Sequence, residues 1–402
     1  MIGNPHEFDT AALRASEFPW AGRDPANIVY LNNAATGPLP ARSVQLLDDW
    51  THRRARPWTI TDHDTIFPAL DRTRQCCAAL VHATPQEIAL MPNTSYGLSL
   101  AAQALPLRDG DVIVSPAGEF PTVVACWRAP QPERRLSVHE VPLSEHGPDE
   151  EALIQALDAT DAKVLAVSWV GYGHGVRLDL ERLGAACRER GVFFVVDAMQ
   201  GLGATDCDVR ACGIDVLACG GFKWLLAPWG AGFAYVRREL IPHMNPPAIG
   251  WMFGPWQEAN TKAPAAGDPL HDDARRFEVM TLPSQDLAAL GESVDLLLSL
   301  GLSFVQGQVE RLASRLIERL GALPHVHLVT PHEVTRRLGI VSVRVPDALA
   351  RSKALRAHGA IHSLREGMLR FSPHCYNTMD EVDEGVSRLG AILAGRVSVP
   401  TS

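Results

Sequence analysis

The chain has no CxxC pair, no block of five or six like charges, no GxGxxG turn after an apolar run and no apolar stretch long enough to cross a bilayer. Each absence removes a class of function. The eight cysteines, Cys76, Cys77, Cys126, Cys187, Cys207, Cys212, Cys219 and Cys375, are scattered, with no His-Cys cluster at zinc spacing. Reduced, mostly buried thiols and no bound metal are expected. A net charge of -9 without a basic stripe argues against nucleic acid and membrane surfaces and favours a small-molecule partner. The most apolar stretch, near 295–303, is far too short for a membrane span, and MIGNPHEFD lacks the basic-then-apolar pattern of a leader. A soluble cytoplasmic protein is expected. The missing GxGxxG makes a nucleotide-dependent dehydrogenase a poor reading.

What is present is a globular composition, 46% hydrophobic and 21% charged over 402 residues, enough for two domains. From about 87 to 237, short apolar runs alternate with amphipathic stretches. EIALMPN, DVIVSPA, KVLAVSWV, GVFFVVDA and DVLACGG read as strands covered on both faces, and DLERLGAACRERG reads as a crossover helix ending at glycine. The expected fold is α/β, a mostly parallel doubly wound sheet with a smaller α+β carboxy-terminal domain. The large domain is expected over 24–290 and the small one from 1–23 and 291–402. The Pro-, Gly- and Trp-rich stretch 242–274 reads as a long excursion whose Trp251, Phe253 and Trp256 help define specificity or pack an interface. A helical pattern runs from about 284 to 321.

In open α/β sheets, ligands lie beyond the carboxyl ends of the strands. Three such positions carry chemistry. After EIALMPN, Thr94 and Ser95 open a helix where hydroxyls and free N–H groups can cradle a phosphate or simply cap the helix. Asp197 ends GVFFVVD, where an unpaired carboxylate is costly and a cationic partner is needed; a protonated pyridine, a metal, a ribose or a helix cap would each answer. Lys223 follows DVLACGG between Phe222 and Trp224, where burial lowers an amine's pKa and suits it to imine formation, unless it snorkels to the surface.

The run VFFVVDAMQGLGATDCDVRACGIDVLACGGFKWLLAPWGAGFAYVRR, with YLNNAATGPLP at 30–40, RRFEVMTLP at 275–283 and LRFSPHCYNTMDEVDE at 369–384, resembles the class V aminotransferase family of pyridoxal-phosphate (PLP) enzymes. That family includes cysteine desulfurases, selenocysteine lyases, kynureninase and isopenicillin N epimerase. The likeness covers about 28–395. It implies fold type I and PLP as cofactor, with Lys223 as Schiff-base lysine, Asp197 on the pyridine nitrogen, Gln200 on the phenolic oxygen and Thr94 and Ser95 on the phosphate. It implies further that Thr281 reaches the partner subunit's phosphate in a homodimer with shared active sites. Arg370 would clamp the α-carboxylate of a small amino-acid substrate, with Arg365 assisting and Asn33 nearby.

Departures from the desulfurase pattern are informative. Phe222 and Gly220 stand where desulfurases carry histidine and serine, and the ring-stacking histidine gives way to Gly118-Glu119-Phe120-Pro121-Thr122, with Phe120 as the aromatic lid. Trp169 or His174 is expected to face the substrate. Only four residues separate Arg365 from Arg370, which leaves no space for the loop bearing a relay cysteine. The expected activity is a C–S or C–Se lyase acting at Cα/Cβ of a small amino acid, without a relay thiol; an epimerase or aminotransferase is the alternative.

Overall fold

The structure is a computed structural model, and it describes residues 10–21, 28–129, 135–145, 147–250, 254, 269–279 and 281–396. Trp251, Phe253 and Trp256 lie outside the described residues. In chain order, α1 (Thr10–Glu17), β1 (Val29–Tyr30), α2 (Ala41–Arg54) and α3 (Phe67–Leu80) lead into β2 (Ile88–Met91), α4 (Thr94–Ala104), β3 (Val112–Pro116), α5 (Pro121–Arg128) and β4 (Ser137–Val141). Then come α6 (Glu150–Thr160), β5 (Val164–Ser168), α7 (Leu180–Arg190), β6 (Phe193–Asp197), β7 (Val216–Gly220) and β8 (Gly232–Val236). The rest comprises α8 (Ser284–Leu300), α9 (Leu302–Gly321), β9 (His327–Leu328), β10 (Val341–Arg344), α10 (Ala348–Ala357), β11 (Ala360–Ile361), β12 (Ser363–Arg365), β13 (Met368–Phe371) and α11 (Met379–Leu393).

Strands β2 to β8 form one seven-stranded sheet in the order β2-β8-β7-β6-β5-β3-β4. Five of them, β4, β3, β5, β6 and β7, run parallel, while β8 is antiparallel to both of its neighbours. Both faces are covered. Along β6, Phe194 and Val196 enter one apolar core and Val195 the other, which is why the run is apolar without alternation. The same holds for β5 and β7. Strand β4, at the edge, alternates in exposure and lacks this continuous apolar signature, so its sequence does not announce a strand. A third core, set between α9, α10, α11 and the sheet β12-β13-β10-β9, contains Leu316, Val343, Phe371 and Leu389.

The crossover helix α7 shows local rules at work. Asp179 accepts from Arg182 N at 3.0 Å as N-cap, and Gly191 closes the helix at φ 64°, a left-handed conformation that glycine adopts without a Cβ penalty. The helical pattern at 284–321 is two helices instead of one. Gly301, at φ 85°, breaks it, and α8 and α9 bend by 84°, so that α8 contributes to the core beside α3 while α9 turns towards the carboxy-terminal sheet. No single helix among the described residues is long and apolar enough to cross a membrane.

Gly184 lies inside α7, where alanine is ordinarily the better helix former by about 1 kcal/mol. Here a Cβ would stand 1.7 Å from the Cys212 carbonyl oxygen, a fixed backbone atom. Gly184→Ala is therefore expected to lower stability by roughly 1–3 kcal/mol, read as a fall in midpoint on thermal denaturation; an unchanged or raised midpoint would count against this close approach.

Candidate active site

The carboxyl ends of β5, β6 and β7 converge with the start of α4. Asp197 pairs across the ladder with Ser168 on one side and Ala218 on the other, and Lys223 lies three residues past the end of β7. Gly37 packs on this lysine's backbone: its N–H donates to Phe222 O at 2.8 Å, and a Cβ there would stand 2.2 Å from Lys223 O. The α4 start is held against β7 by Thr94, whose hydroxyl accepts from Gly220 N at 2.8 Å and donates to Met199 Sδ at 3.3 Å. Its N-cap is Asn93, which accepts from Tyr96 N at 2.9 Å, so the plain hydroxyl-cap reading of Thr94 and Ser95 is corrected. Ser95 instead bonds to Thr122 Oγ1 at 3.1 Å. The N–H groups of Thr94 and Ser95, in the first turn, have no intrahelical acceptor.

Electrostatically the site is cationic on one wall and acidic on another. Burial brings the Lys223 amine down to about 8; the Asp197 charge opposes this, and the Arg370 and Arg365 charges add to it. Asp197 is buried, and burial pushes its carboxyl up to about 6 against one N–H from Met199, at 2.8 Å, and the lysine's charge. The Arg370 guanidinium is 1% exposed and has no ion pair among the described residues. It donates to Tyr172 O at 2.6 Å and to Ser363 Oγ at 3.4 Å, while its Nε has no partner. Burial, then repulsion from Arg365, lowers it to about 10. Arg365 is exposed and ends β12; it pairs with Met368 across a tight turn whose two residues, Glu366 and Gly367, have φ 49° and 74°.

Phe120 and Phe222 flank the lysine, with ring centroids 5.9 and 5.6 Å from Nζ. Phe120, 42% exposed, also meets Tyr172 edge-on at 5.4 Å. Trp169 and His174 have different surroundings. Trp169 is a core residue, packed on Gly201 and carrying the Arg177 guanidinium 5.6 Å from its ring centre. His174 shares a small cavity with Glu119, Ser168 and Tyr172; its Nδ1 accepts from Val176 N at 3.0 Å, and burial holds it neutral, lowered to about 4. Asn33 is fully buried, with Oδ1 accepting from Tyr376 Oη at 3.2 Å and Nδ2 unpartnered. Thr281 is exposed just ahead of α8.

Three residues have partners that the sequence did not disclose. Glu119, half-buried, turns its carboxyl inward to accept from Ser168 N at 2.7 Å and to bond the Ser168 hydroxyl. Burial raises it to about 7, with the Asp197 charge contributing. Tyr172 donates to Glu366 and so ties the Phe120 loop's neighbour to the β12-β13 turn. Trp224, next to the lysine, donates its indole N–H to Gln200 Oε1 at 2.8 Å, and Gln200 Nε2 donates to Ala34 O at 3.2 Å. The adjacent Lys-Trp pair was visible in the sequence; the partner across the fold was not.

These groups fit PLP. A buried carboxylate short of a cation suits a protonated pyridine nitrogen, a buried amine lowered to about 8 suits the aldehyde, and the unengaged α4 N–H groups suit the phosphate. The sequence profile of the aminotransferase class V family matches residues 29–384. A kynureninase from Deinococcus radiodurans is 31% identical, over 96% of this chain and 94% of its own length. A probable cysteine desulfurase from Pyrococcus abyssi is 27% identical, over 89% and 92%. The cystine C–S lyase C-DES, solved with its reaction product cysteine persulfide, superposes with a TM-score of 0.82 at 22% identity, over 91% of this chain and 98% of that one, a likeness of fold alone. With the profile spanning most of its length and the lysine, acid and helix start assembled at the carboxyl ends of the central strands, the chain belongs to the class V aminotransferase family of PLP-dependent enzymes.

Proposed function

We propose that the protein is a C–S or C–Se lyase, releasing a group from Cβ of a cysteine-, selenocysteine- or cysteine-conjugate-like amino acid, and that two copies share their active sites through Thr281. The carrying observation is the turn between the two arginines. Arg365 and Met368 are paired across two residues, so a mobile thiol-bearing loop has no place there. The thiols nearest the lysine and the carboxy-terminal arginines, Cys219 and Cys375, are buried, and burial pushes Cys375 up to about 12 and Cys219 higher still; neither supplies the thiolate that sulfur relay requires. A released sulfur or selenium species then leaves without a protein carrier.

Within this reading, Arg370, short of a carboxylate, binds the substrate's α-carboxylate, with the exposed Arg365 assisting and the unpartnered Asn33 Nδ2 as a further donor. Asp197 keeps the pyridine nitrogen protonated, Gln200 donates to the phenolic oxygen, Thr94 and Ser95 hold the phosphate through their N–H groups, and Phe120 covers the ring. Bound PLP supplies the electron sink for charge developing at Cα. Lys223, uncharged for much of the time near pH 8, takes the Cα proton. Glu119 and Tyr172 line the approach to Phe120 and keep that loop in place.

Three measurements test this. Purified protein should release pyruvate and ammonia together with sulfide, selenide or a thiol, or alanine together with zero-valent sulfur or selenium, from a panel of cysteine-like amino acids; no turnover across the panel would sink the lyase, and solvent deuterium entering Cα without elimination would point to an epimerase. Arg370→Ala should weaken amino-acid binding by roughly 2–5 kcal/mol while leaving cofactor content intact. Capture of added PLP needs the uncharged amine, whose fraction grows as pH climbs through its pKa. The capture rate of the cofactor-free protein should therefore rise with pH and level off above about pH 8; a rate still climbing near pH 10 would mean an ordinary exposed lysine.

A further inference from the structure

Gln200 is the residue whose amide orientation decides whether it presents a donor or an acceptor. Side-chain amides rotate by half a turn at little cost unless their surroundings forbid it. Here both ends are specified. Oε1 faces the Trp224 indole N–H at 2.8 Å, a group that only donates, and Nε2 faces the Ala34 carbonyl at 3.2 Å, a group that only accepts. Reversing the amide would put donor against donor and acceptor against acceptor in a buried place: Gln200 is 5% and Trp224 1% exposed. One Nε2 hydrogen is left over.

Trp224 is itself held. A Cβ on Gly339 would stand 2.3 Å from its ring edge, and a Cβ on Gly203 2.4 Å from its carbonyl oxygen. That oxygen accepts from His374 Nε2 at 3.1 Å, because His374 Nδ1 is occupied as the acceptor for Cys375 N at 2.7 Å. The two rings lie 5.5 Å apart. The indole therefore has one position, and through it Gln200 has one orientation.

We infer that Trp224 is a positioning residue for the cofactor's phenolic oxygen: its N–H locks the Gln200 amide so that the remaining Nε2 hydrogen points outward as a donor. This rests on the PLP-binding part of the proposed function and not on the reaction catalysed. A donor at that oxygen stabilises its anionic form, which dominates once the neighbouring imine has lost its proton, so it lowers the pH at which the imine titrates. The shift is read by absorbance of the loaded protein without any substrate, so it can fail while the lyase reading stands, and the reverse.

Trp224→Phe removes the N–H and keeps most of the packing. The midpoint of the imine titration should move upward by roughly half to one pH unit, the worth of one hydrogen bond in an enclosed site. Gln200→Ala should move it upward at least as far, and adding Trp224→Phe to Gln200→Ala should do nothing more. No shift in Trp224→Phe, or shifts that simply add in the double variant, overturns the inference. Should Trp224→Phe fail to fold, the indole N–H resonances of protein labelled with 15N-tryptophan give the second reading. Gln200→Ala should displace one indole resonance strongly; if none moves, the Trp224–Gln200 bond is absent and the inference falls.

Discussion

Asp197 sets the terms for the rest of the site. It closes a strand whose side chains are buried on both faces of the sheet, and a carboxylate there loses its hydration with little to replace it: one N–H from Met199 and the field of a lysine whose own pKa burial lowers to about 8. Such a group either takes up a proton or meets a cation. Raised to about 6, it stands between those outcomes. A protonated ring nitrogen placed beside it would resolve the conflict, and the cofactor would then take part in the charge balance of the large sheet as well as supply its chemistry.

The strands around Asp197 were legible because double burial leaves an unbroken apolar run, and β2, β3, β5, β6 and β7 fall within their expected stretches. Edge strand β4 was not, since only one side of it meets the core and its sequence, SVHEV, is that of an exposed segment. Antiparallel β8 was hidden among the glycines that follow the lysine. The single helical pattern over 284–321 concealed a break because Gly301 sits between two apolar stretches that share one core on either side of it, α9 passing on to the carboxy-terminal core only from Leu312. Periodicity reports which residues are buried and is silent about what they are buried against.

The same limit governs the site. Lys223 and Asp197 stood out in the sequence as charged residues in apolar company, and the fold encloses both; Arg370 was marked by the family resemblance alone, and the fold buries it too. Glu119 did not stand out. In sequence it is one acid beside a phenylalanine, and its meaning depends on Ser168, 49 residues away, whose N–H and hydroxyl both turn to it. For Trp169, on the loop after β5, the sequence offered no sign of Gly201, which leaves a flat seat for the indole against the core. Trp224 read as an aromatic neighbour of the lysine, and only the fold supplies Gln200 as the acceptor for its one N–H.

Burial of the carboxylate and of Arg370 are opposite halves of one design. A guanidinium 1% exposed, with one nitrogen unpartnered and a second arginine close enough to lower its pKa, is unstable as a charge distribution until an anion arrives. Carbonyl and hydroxyl acceptors from Tyr172 and Ser363 orient it without neutralising it, which leaves its attraction for a carboxylate undiminished. Tyr172 lends its backbone oxygen to this arginine, its ring edge to Phe120 and its hydroxyl to Glu366. A carboxylate drawn to Arg370 would therefore act directly on the residue that touches both Phe120 and the two-residue turn. The turn itself is too short to carry a thiol, and Phe120, Tyr172, Arg365 and Glu366 gather around it as one aromatic and charged cluster.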